Sequence, residues 1–251
     1  MKISVITVTL NALPALRKTI NSVIRQNYAD FEYIVVDGDS MDGTKDFLAQ
    51  GSRGISLWIS EPDKGIYEAM NKGVRLAQGD FCIFMNAGDL FVNDGVLAHV
   101  DRFLSGSDIV LGNEIIIDDD DAIIGFTPSR NAYTLKHLLT SSTSHQATFI
   151  RRSLLVRHPY DESLHLVSDW KFILERIIKR DAQLKTINVD VCFFRAGGAT
   201  FKNLQTGTEE RRKTLETYPE YYSIWSRPYR PGFFKKSFNY LRMLNARFRY
   251  Q

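Results

Sequence analysis

The chain has few cysteines and no long apolar segment, and each shortage excludes a class of protein. Its 251 residues include only two cysteines, Cys82 and Cys192, and both lie inside apolar runs. We therefore expect buried free thiols rather than disulfides or cysteine metal sites. No apolar segment approaches the roughly 20 residues that a helix needs to span a bilayer. The chain enters a strand pattern at Ile3 without a signal-peptide pattern, so we expect a cytoplasmic protein.

Two common nucleotide-binding motifs are also missing. The first apolar run is followed by Thr-Leu-Asn-Ala-Leu-Pro rather than by G-x-G-x-x-G, which disfavours a dinucleotide site. A G-x-x-x-x-G-K-[ST] segment is absent too, which excludes a P-loop nucleotidase. The composition, 44% hydrophobic and 24% charged, is that of an ordinary globular protein with one substantial core.

Short apolar runs alternate with amphipathic segments through the first hundred residues. Buried strands are predicted at 3–8, 33–36, 55–60 and 81–85, and helices at 13–26, 44–50 and 66–78. This alternation with short connections predicts an α/β fold, a mostly parallel, Rossmann-like single domain with right-handed crossovers.

Polar residues follow the ends of all four predicted strands. They are Thr9, Asn11, Asp37, Asp39, Asp63, Lys64 and Asp89. Because ligands of open α/β sheets bind beyond the carboxyl ends of the strands, these side chains predict one binding rim. The alternative is that they are only caps and turn residues, and Asp89 in particular could be a solvated cap of the next helix.

Four segments carry a resemblance to a known family. They are Ile3-Ser-Val-Ile-Thr-Val-Thr-Leu-Asn11, Val35-Val-Asp-Gly-Asp-Ser-Met-Asp-Gly-Thr44, Ser60-Glu-Pro-Asp-Lys-Gly-Ile-Tyr-Glu-Ala-Met-Asn-Lys-Gly73 and Phe84-Met-Asn-Ala-Gly-Asp89. In this order and spacing the chain resembles the family 2 glycosyltransferases with the A-type nucleotide-sugar fold. It looks most like the bacterial branch that builds colanic acid and O-antigen.

The resemblance implies a donor pocket and a cation. Thr9 and Asp37 would hold the base and ribose, Asp63 and Lys64 would line the same pocket, and Asp89 would bring Mg²⁺ or Mn²⁺ to the diphosphate. Such a cation stabilises the charge that develops on a departing nucleotide, and it needs only one or two carboxylates from the protein.

Two positions depart from the family pattern. Asn86, counted with the donor-binding residues, stands where the first acid of a D-x-D motif is common, and Gly38 stands where many relatives have a second acid. We therefore expect a metal-dependent enzyme in which Asp89 is the acid that remains of the motif. The sequence does not specify which nucleotide base the donor carries.

Asp169 is the candidate catalytic base. Ser168 is predicted to cap a helix with Asp169 in its first turn, where the acid could merely complement the helix dipole. The resemblance implies instead that the pair Asp169-Trp170 matches the acid that deprotonates the acceptor, with Trp170 a candidate substrate contact. Glu175, Asp161 and Glu162 are weaker candidates for the base.

Three later segments bear on the site. Residues 143–150 are predicted as a strand carrying His145, which is either a substrate contact or a structural hydrogen-bonding residue. The strand at 184–194 leads to Arg195 and two glycines, where a loop could approach the diphosphate or form a plain turn. The acid run 118–121 is predicted as a hairpin loop rather than a calcium site.

The charge distribution divides the chain. We predict a catalytic domain at 1–220, with a nucleotide-sugar half at about 1–105 and an acceptor half at about 106–220. The segment 221–251 has seven basic residues, no acid and ten aromatics. It is predicted to form a helical tail that either lies on anionic lipid, as a peripheral attachment to the inner face of the cytoplasmic membrane, or packs on the domain. Nucleic acid is disfavoured because the rest of the chain is acidic.

The sequence thus favours an inverting glycosyltransferase. Its partners would be a nucleoside diphosphate sugar and a glycan acceptor, which the resemblance implies is lipid-linked. The alternatives are a sugar-phosphate nucleotidyltransferase, which would want a Gly-rich basic loop after the first strand, and a catalytically inactive nucleotide-sugar or membrane-binding module.

Overall fold

A computed structural model describes residues 1–51, 54–118, 120–129, 139, 144–196 and 203–226. Within these ranges nine strands form a single sheet: β1 (Ile3–Thr9), β2 (Phe31–Asp37), β3 (Leu57–Ser60), β4 (Phe81–Phe84), β5 (Leu90–Phe91), β6 (Ile109–Ile117), β7 (Ile123–Thr127), β8 (Thr148–Arg151) and β9 (Leu184–Arg195). The helices in these ranges are α1 (Leu13–Ile24), α2 (Thr44–Ala49), α3 (Ile66–Leu76), α4 (Val96–Leu104), α5 (Arg152–Arg157), α6 (Ser168–Lys179), α7 (Leu204–Glu216) and α8 (Pro219–Trp225).

The predicted parallel half of the sheet is confirmed. Strand β1 pairs in parallel with β2 and β4, and β2 pairs in parallel with β3. The carboxyl ends of these four strands therefore meet along one edge of the sheet. Thr9, at the end of β1, lies beside Asp37, at the end of β2.

The second half of the sheet is mixed. The strand order is β3-β2-β1-β4-β8-β6-β9-β5, with β7 on β6. Strand β8 pairs antiparallel with both β4 and β6, whereas β6 and β9 are parallel. One continuous sheet therefore runs through both predicted halves, and the division into a donor and an acceptor half stays a prediction.

Alternate residues of the buried strands face two separate cores. Ile3 and Val5 point to the face covered by α1 and α4, whereas Ile6 and Val8 point to the face covered by α3, α5 and α6. Both faces of a parallel sheet are covered by helices in this arrangement, which is why the strands are apolar almost throughout.

Strand β5 and the turn before β8 differ from the prediction. The two residues Leu90–Phe91 form a strand that was not predicted and pair antiparallel with β9, and α4 begins at Val96. The predicted strand over 143–150 begins only at Thr148, because residues His145–Ala147 form a 3-10 turn.

The predicted role of Ser168 as a helix cap is wrong. Val167 occupies the cap position of α6, and no side chain caps it. The Ser168 hydroxyl instead accepts the backbone N–H of Asp161 at 2.6 Å, which ties the preceding loop to the helix. The predicted hairpin is confirmed, since β6 and β7 pair antiparallel around Asp118.

A smaller apolar cluster joins α6 to α7 and α8. Its buried residues are Leu139, Val167, Trp170, Leu174 and Leu215. The predicted tail helix beyond residue 226 lies outside the described residues. Among the described residues, no helix combines the length and the apolar character needed to cross a membrane.

Close packing between β6 and β9 can be tested at Gly112. A Cβ there would meet the Val191 side chain and lie 2.9 Å from the Val189 carbonyl oxygen, so Gly112→Ala should lower the free energy of unfolding by about 1–3 kcal/mol. Gly207 in α7 is the matched control, because its Cβ would make only ordinary contacts of 3.7 Å or more. Gly207→Ala should be neutral or stabilise by up to about 1 kcal/mol in urea unfolding. Equal stabilities of the two variants would contradict this packing.

Candidate active site

Asp37 lies at the centre of the donor-side rim and is completely buried. Its Oδ1 accepts the Ser40 hydroxyl at 2.5 Å, and its Oδ2 accepts the Ser60 hydroxyl at 2.8 Å and the Ser40 backbone N–H at 3.1 Å. Beside it, the Thr9 hydroxyl is buried without a hydrogen-bond partner. An unpartnered buried hydroxyl at a strand end is free to bond a ligand.

Asn11 joins the loops that follow β1 and β2. Its Oδ1 accepts the Met41 backbone N–H at 2.8 Å, and its own backbone N–H reaches the Ser40 hydroxyl at 2.7 Å. Asn11 and Asp39 both adopt left-handed φ angles, 49° and 67°, which Asn and Asp tolerate better than most residues. Asp39 is exposed on this rim.

Asp63 packs directly against Gly38. A Cβ on Gly38 would lie 2.5 Å from Asp63 Oδ2, so the absence of a side chain at position 38 lets this carboxylate approach the end of β2. Burial raises the pKa of Asp63, and the backbone N–H of Gly65 partly opposes this by donating to its Oδ1. Lys64 is exposed, and its backbone N–H donates to Glu68.

Asp89 is buried rather than solvated. It is 7% exposed, and it accepts the Asn86 backbone N–H at 3.0 Å and the Gln146 side-chain amide at 3.3 Å. Burial raises the pKa of its carboxyl to about 6, although the nearby His145 and these hydrogen bonds act in the opposite direction. The structure therefore removes the alternative of a solvated helix cap.

His145 lies between the two acids singled out in the sequence. Its Nδ1 is 3.0 Å from Asp169 Oδ2, and its Nε2 is 4.0 Å from Asp89 Oδ2. These residues come from the turn after β4, the 3-10 turn before β8 and the first turn of α6. The fold thus brings Asp89 and Asp169, 80 positions apart, to opposite sides of one imidazole.

The protonation of His145 follows from its neighbours. Burial acts to lower its pKa, but the hydrogen bond and charge of Asp169 and the charges of Asp89 and Glu114 outweigh burial, so the pKa is raised. The second ring nitrogen lies 2.9 Å from Asn86 Nδ2, while Asn86 Oδ1 is buried without a partner. Amide orientation is assigned from hydrogen bonding, and exchanging the two Asn86 atoms lets an imidazolium donate to both Asp169 and Asn86.

Asp169 accepts three hydrogen bonds from the described residues. Besides His145, its Oδ1 accepts the Tyr67 hydroxyl at 3.0 Å and the Trp170 backbone N–H at 2.9 Å. The Arg211 guanidinium lies close by, 5.1 Å above the centre of the Trp170 ring. Burial lowers the pKa of Arg211, and the negative charge of Asp169 opposes that effect.

Trp170 and Arg195 occupy structural positions. The Trp170 side chain is 1% exposed inside the cluster between α6 and α7. Arg195 ends β9 and pairs with Asp121 and the carbonyl of Asp118, which anchors the β6–β7 hairpin. Contact of either residue with a substrate stays a prediction, and the two glycines after Arg195 lie outside the described residues.

The sequence analysis missed Tyr67, Gln146 and Arg211. Tyr67 lies within one of the segments that carry the resemblance. Its ring fits the apolar face of an amphipathic helix, so the pattern does not indicate a role for its hydroxyl. Gln146 follows His145 directly, which was the only available signal for it. Arg211 stands in a run of five charged residues that is typical of a solvated helix face.

The donors near Asp89 fit a hard divalent cation held by few protein atoms. They are the buried Asp89 carboxylate and the half-buried Asn86 amide beside it, whose oxygen has two lone pairs and can bind a cation while it accepts from His145. Mg²⁺ and Mn²⁺ prefer such oxygen ligands and complete their shells with phosphate and water. Within the described ranges no group of three or more His, Cys, Asp or Glu residues is arranged as a metal site. A cation here would therefore depend on ligands from the substrate.

A polar groove of about 800 Å³ lies away from these residues. It runs between α6 and α7, where its lining includes Lys171, Glu175 and Lys213 but neither Asp89 nor Asp169. Its size therefore does not make it the site of the chemistry, because Asp89 and Asp169, with His145 between them, lie elsewhere.

Comparisons with known proteins point in one direction. Residues 4–158 match the family model described as glycosyl transferase family 2. An uncharacterized glycosyltransferase of Mycobacterium tuberculosis is 33% identical over 202 residues, covering 78% of this chain and 76% of that protein. The Escherichia coli UDP-Glc:alpha-D-GlcNAc-diphosphoundecaprenol beta-1,3-glucosyltransferase WfgD is 26% identical over 188 residues, covering 74% and 73%.

Solved structures share the fold. The Staphylococcus aureus TarS 1–349 structure in complex with UDP-GlcNAc superposes with a TM-score of 0.69 at 20% identity. This superposition covers 86% of this chain and 65% of the TarS chain. The mannosyltransferase PcManGT of Pyrobaculum calidifontis, in complex with GDP-Man and Mn2+, gives a TM-score of 0.65 at 18% identity over 87% of this chain and 64% of that one.

The buried charge of Asp89 has a consequence for stability. Its pKa is about 6 when folded against an ordinary value of 3.8, so the folded state binds more protons between these values and stability falls as pH rises through this window. At about pH 7.5 the ionised carboxyl costs up to about 3 kcal/mol. Asp89→Asn, measured by urea unfolding in EDTA, should therefore be more stable than the parent at about pH 7.5, with a difference that shrinks towards about pH 4.

Asp39→Asn is the control for this measurement. Asp39 is an exposed acid on the same rim with a backbone conformation that Asn also tolerates. Its replacement should leave the free energy of unfolding within about 0.5 kcal/mol of the parent. An Asp89→Asn variant that is less stable than the parent at about pH 7.5 would show that ionised Asp89 is not destabilising.

Proposed function

This chain belongs to glycosyl transferase family 2, and we propose that it transfers a sugar, with inversion at the anomeric carbon, from a nucleoside diphosphate donor to a glycan acceptor. The observation that carries the proposal is the placement of Asp89 and Asp169 on either side of His145, at 4.0 Å and 3.0 Å. One acid would then serve the departing nucleotide and the other the incoming hydroxyl.

The donor would bind along the ends of β1, β2 and β3. Thr9 offers an unpartnered buried hydroxyl, and the rigidly held Asp37 and the neighbouring Asp63 offer acceptors for the N–H and O–H groups of a base and ribose. Asn11, Asp39 and Lys64 border this rim and complete the donor-binding set. The solved structures with UDP-GlcNAc and GDP-Man support a sugar nucleotide as the ligand class, but they do not choose the base.

Asp89, with Asn86 beside it, would hold a divalent cation at the diphosphate. The Mn2+ in the PcManGT complex supports this assignment. When bound, such a cation supplies electrostatic stabilisation of the negative charge on the leaving nucleoside diphosphate. A cation next to Asp89 would also compensate the carboxylate for its lost hydration.

The chemical step is a single displacement in which Asp169 acts as general base. Asp169 takes the proton of the acceptor hydroxyl, the acceptor oxygen forms a bond to the anomeric carbon, and the bond from that carbon to the diphosphate oxygen breaks with its electron pair on the leaving group. His145, as an imidazolium, keeps Asp169 oriented and lowers the cost of holding two acids in one buried site. Attack opposite to the leaving group inverts the anomeric configuration.

The acceptor is proposed to be a lipid-linked glycan of a bacterial surface polysaccharide. WfgD, by its name, acts on a diphosphoundecaprenol-linked sugar, and another relative, 36% identical over 179 residues, is a PGL/p-HBAD biosynthesis glycosyltransferase of Mycobacterium tuberculosis. A lipid-linked acceptor suits a peripheral enzyme on the inner face of the cytoplasmic membrane. The basic segment 221–251 would supply the attachment.

The alternatives explain fewer of these observations. A nucleotidyltransferase does not need a catalytic base such as Asp169 in addition to the cation ligand Asp89. The loop after β1 also lacks the Gly-rich basic sequence that such an enzyme needs. An inactive binding module would not require Asp169 to be oriented by three donors.

Replacing Asp169 tests the base directly. Asp169→Asn should reduce transfer by about 10²- to 10⁴-fold while nucleotide affinity persists, because the amide cannot accept the proton. Nucleoside diphosphate release from the sugar nucleotide gives the rate, and calorimetry gives the affinity. Asp161→Asn is the control, since Asp161 pairs with Lys171 on the outer side of α6. Transfer that survives in Asp169→Asn would refute the mechanism.

A melting screen tests the donor site. UDP, GDP, CMP and dTDP are each added with and without Mn²⁺, and one nucleotide should raise the melting temperature more than the others. The increase should require Mn²⁺ and disappear in Asp89→Ala, because that variant lacks the carboxylate for the cation. No increase with any nucleotide would favour the inactive module.

A further inference from the structure

The Tyr67 hydroxyl bonds the proposed base, Asp169, at the carboxylate oxygen that His145 does not contact. It donates to Asp169 Oδ1 at 3.0 Å across 102 positions of sequence. Tyr67 belongs to α3 and Asp169 to α6, two helices on the same face of the sheet. This contact is a direct polar link between the helix after the donor loop and the helix that carries the base.

Counting lone pairs shows what the link does to Asp169. An ionised carboxylate can accept about four hydrogen bonds, two on each oxygen. From the described residues, Oδ1 accepts the Tyr67 hydroxyl and the Trp170 backbone N–H, whereas Oδ2 accepts only His145 Nδ1. Oδ2 therefore keeps the remaining acceptor position. The acceptor hydroxyl would find its base at that oxygen.

Packing makes Tyr67 a fixed donor. Its side chain is 4% exposed, and its ring stands edge-on to Tyr160 with centroids 5.6 Å apart. Tyr160 in turn packs on Phe84 and Phe172 at 5.5 and 5.6 Å. Asn71, one turn after Tyr67 in α3, bonds both backbone polar groups of Tyr160. A ring so enclosed keeps one rotamer, so the hydroxyl position is set by α3.

The same helix borders the donor rim. Helix α3 begins at Ile66, directly after the loop that holds Asp63 and Lys64. Glu68 in its first turn accepts the Lys64 backbone N–H at 2.8 Å, and Asp63 accepts the Gly65 N–H at 3.0 Å. A shift of this loop would therefore move the first turn of α3 and the Tyr67 hydroxyl with it.

We propose that Tyr67 is the positioning residue of the base: its hydroxyl holds Asp169 Oδ1 so that Oδ2 faces the acceptor hydroxyl, and α3 ties this orientation to the donor loop. The proposal rests on the proposed function, in which Asp169 is the base. Tyr67 keeps its own proton throughout, and the acceptor proton moves to Oδ2 as the acceptor oxygen bonds to the anomeric carbon.

The charged and titratable groups around Asp169 are compatible with this role. They are Tyr67 from α3, His145 from the 3-10 turn with Asp89 and Glu114 behind it, Arg211 from α7, and Tyr160 from the loop before α6. Burial, followed by the charge and hydrogen bond of Asp169, raises the pKa of Tyr67 well above its usual value. The phenol is therefore a donor at every working pH.

Tyr67→Phe removes the hydroxyl and keeps the ring. The assay measures release of the nucleoside diphosphate from a sugar nucleotide in the presence of Mn²⁺ and the acceptor GlcNAc-diphosphoundecaprenol. The sugar nucleotide is UDP-glucose, GDP-mannose or dTDP-rhamnose, according to whether the melting screen selects UDP, GDP or dTDP. We expect kcat to fall about 10- to 100-fold, because a hydrogen bond to a charged group is lost. The KM for the sugar nucleotide should stay within about twofold.

Tyr160→Phe is the matched control. It removes a hydroxyl from the neighbouring buried ring, which packs on Tyr67 but is not among the three donors to Asp169. Its kcat should equal that of the parent. Tyr67→Phe with parental kcat would overturn the inference, as would equal losses of kcat in both variants, which would indicate packing alone.

Asp169→Asn separates this inference from the proposed function. If Asp169→Asn is inactive while Tyr67→Phe behaves as the parent, only the positioning role fails. If Asp169→Asn retains transfer, the proposed function fails, and the role of Tyr67 fails with it.

Discussion

The site depends on one imidazole held between two carboxylates, the buried Asp89 and the half-buried Asp169. Asp89 and Asp169 have both left bulk water, and a pair of unpaired acids in such a place would be costly. His145 offsets that cost because it faces both acids, and their charges raise its pKa against the effect of burial. The sheet serves this arrangement. Strand β8 pairs with β4, so the 3-10 turn with His145 lies beside the turn with Asp89, and α6 brings Asp169 to the other ring nitrogen.

The two sides of the site are held by different means. On the donor side, serine hydroxyls and backbone N–H groups fix Asp37, and Gly38 leaves room for Asp63. On the acceptor side, Asp169 is held by the Tyr67 and His145 side chains, which come from two other parts of the chain, and by the Trp170 backbone N–H. Local turns therefore build the donor rim, whereas long-range packing builds the base. The donor rim, Tyr67 and His145 lie within the stretch matched by the family model, residues 4–158, whereas Asp169 lies beyond it.

Burial of Asp89 lowers the stability of the folded protein and strengthens the electrostatic effect of the site on a bound donor. The raised pKa means that the ionised carboxyl destabilises the folded protein at neutral pH, and a nearby cation would reduce that free-energy cost. Charges in a site of low dielectric act strongly on a developing negative charge, because little water screens them. The same desolvation that makes the apo site costly thus makes it effective when a charged donor is bound.

Periodicity and strand-end chemistry were sufficient for the first four strands, their helices and the neighbouring positions of Thr9, Asp37 and Asp63 at the strand ends. Those features are local, since side-chain alternation and turn residues report burial and direction within a few positions. They did not give β5, whose two residues form a strand only because β9 lies beside them, or the true partner of Ser168. They also did not predict the contact of Tyr67 with Asp169, because an aromatic residue at an apolar helix position fits the core pattern whether or not its hydroxyl makes a functional hydrogen bond. Which acid meets His145, and which tyrosine meets Asp169, was decided only by tertiary packing, because those contacts join residues 24 and 102 positions apart and no local pattern encodes them.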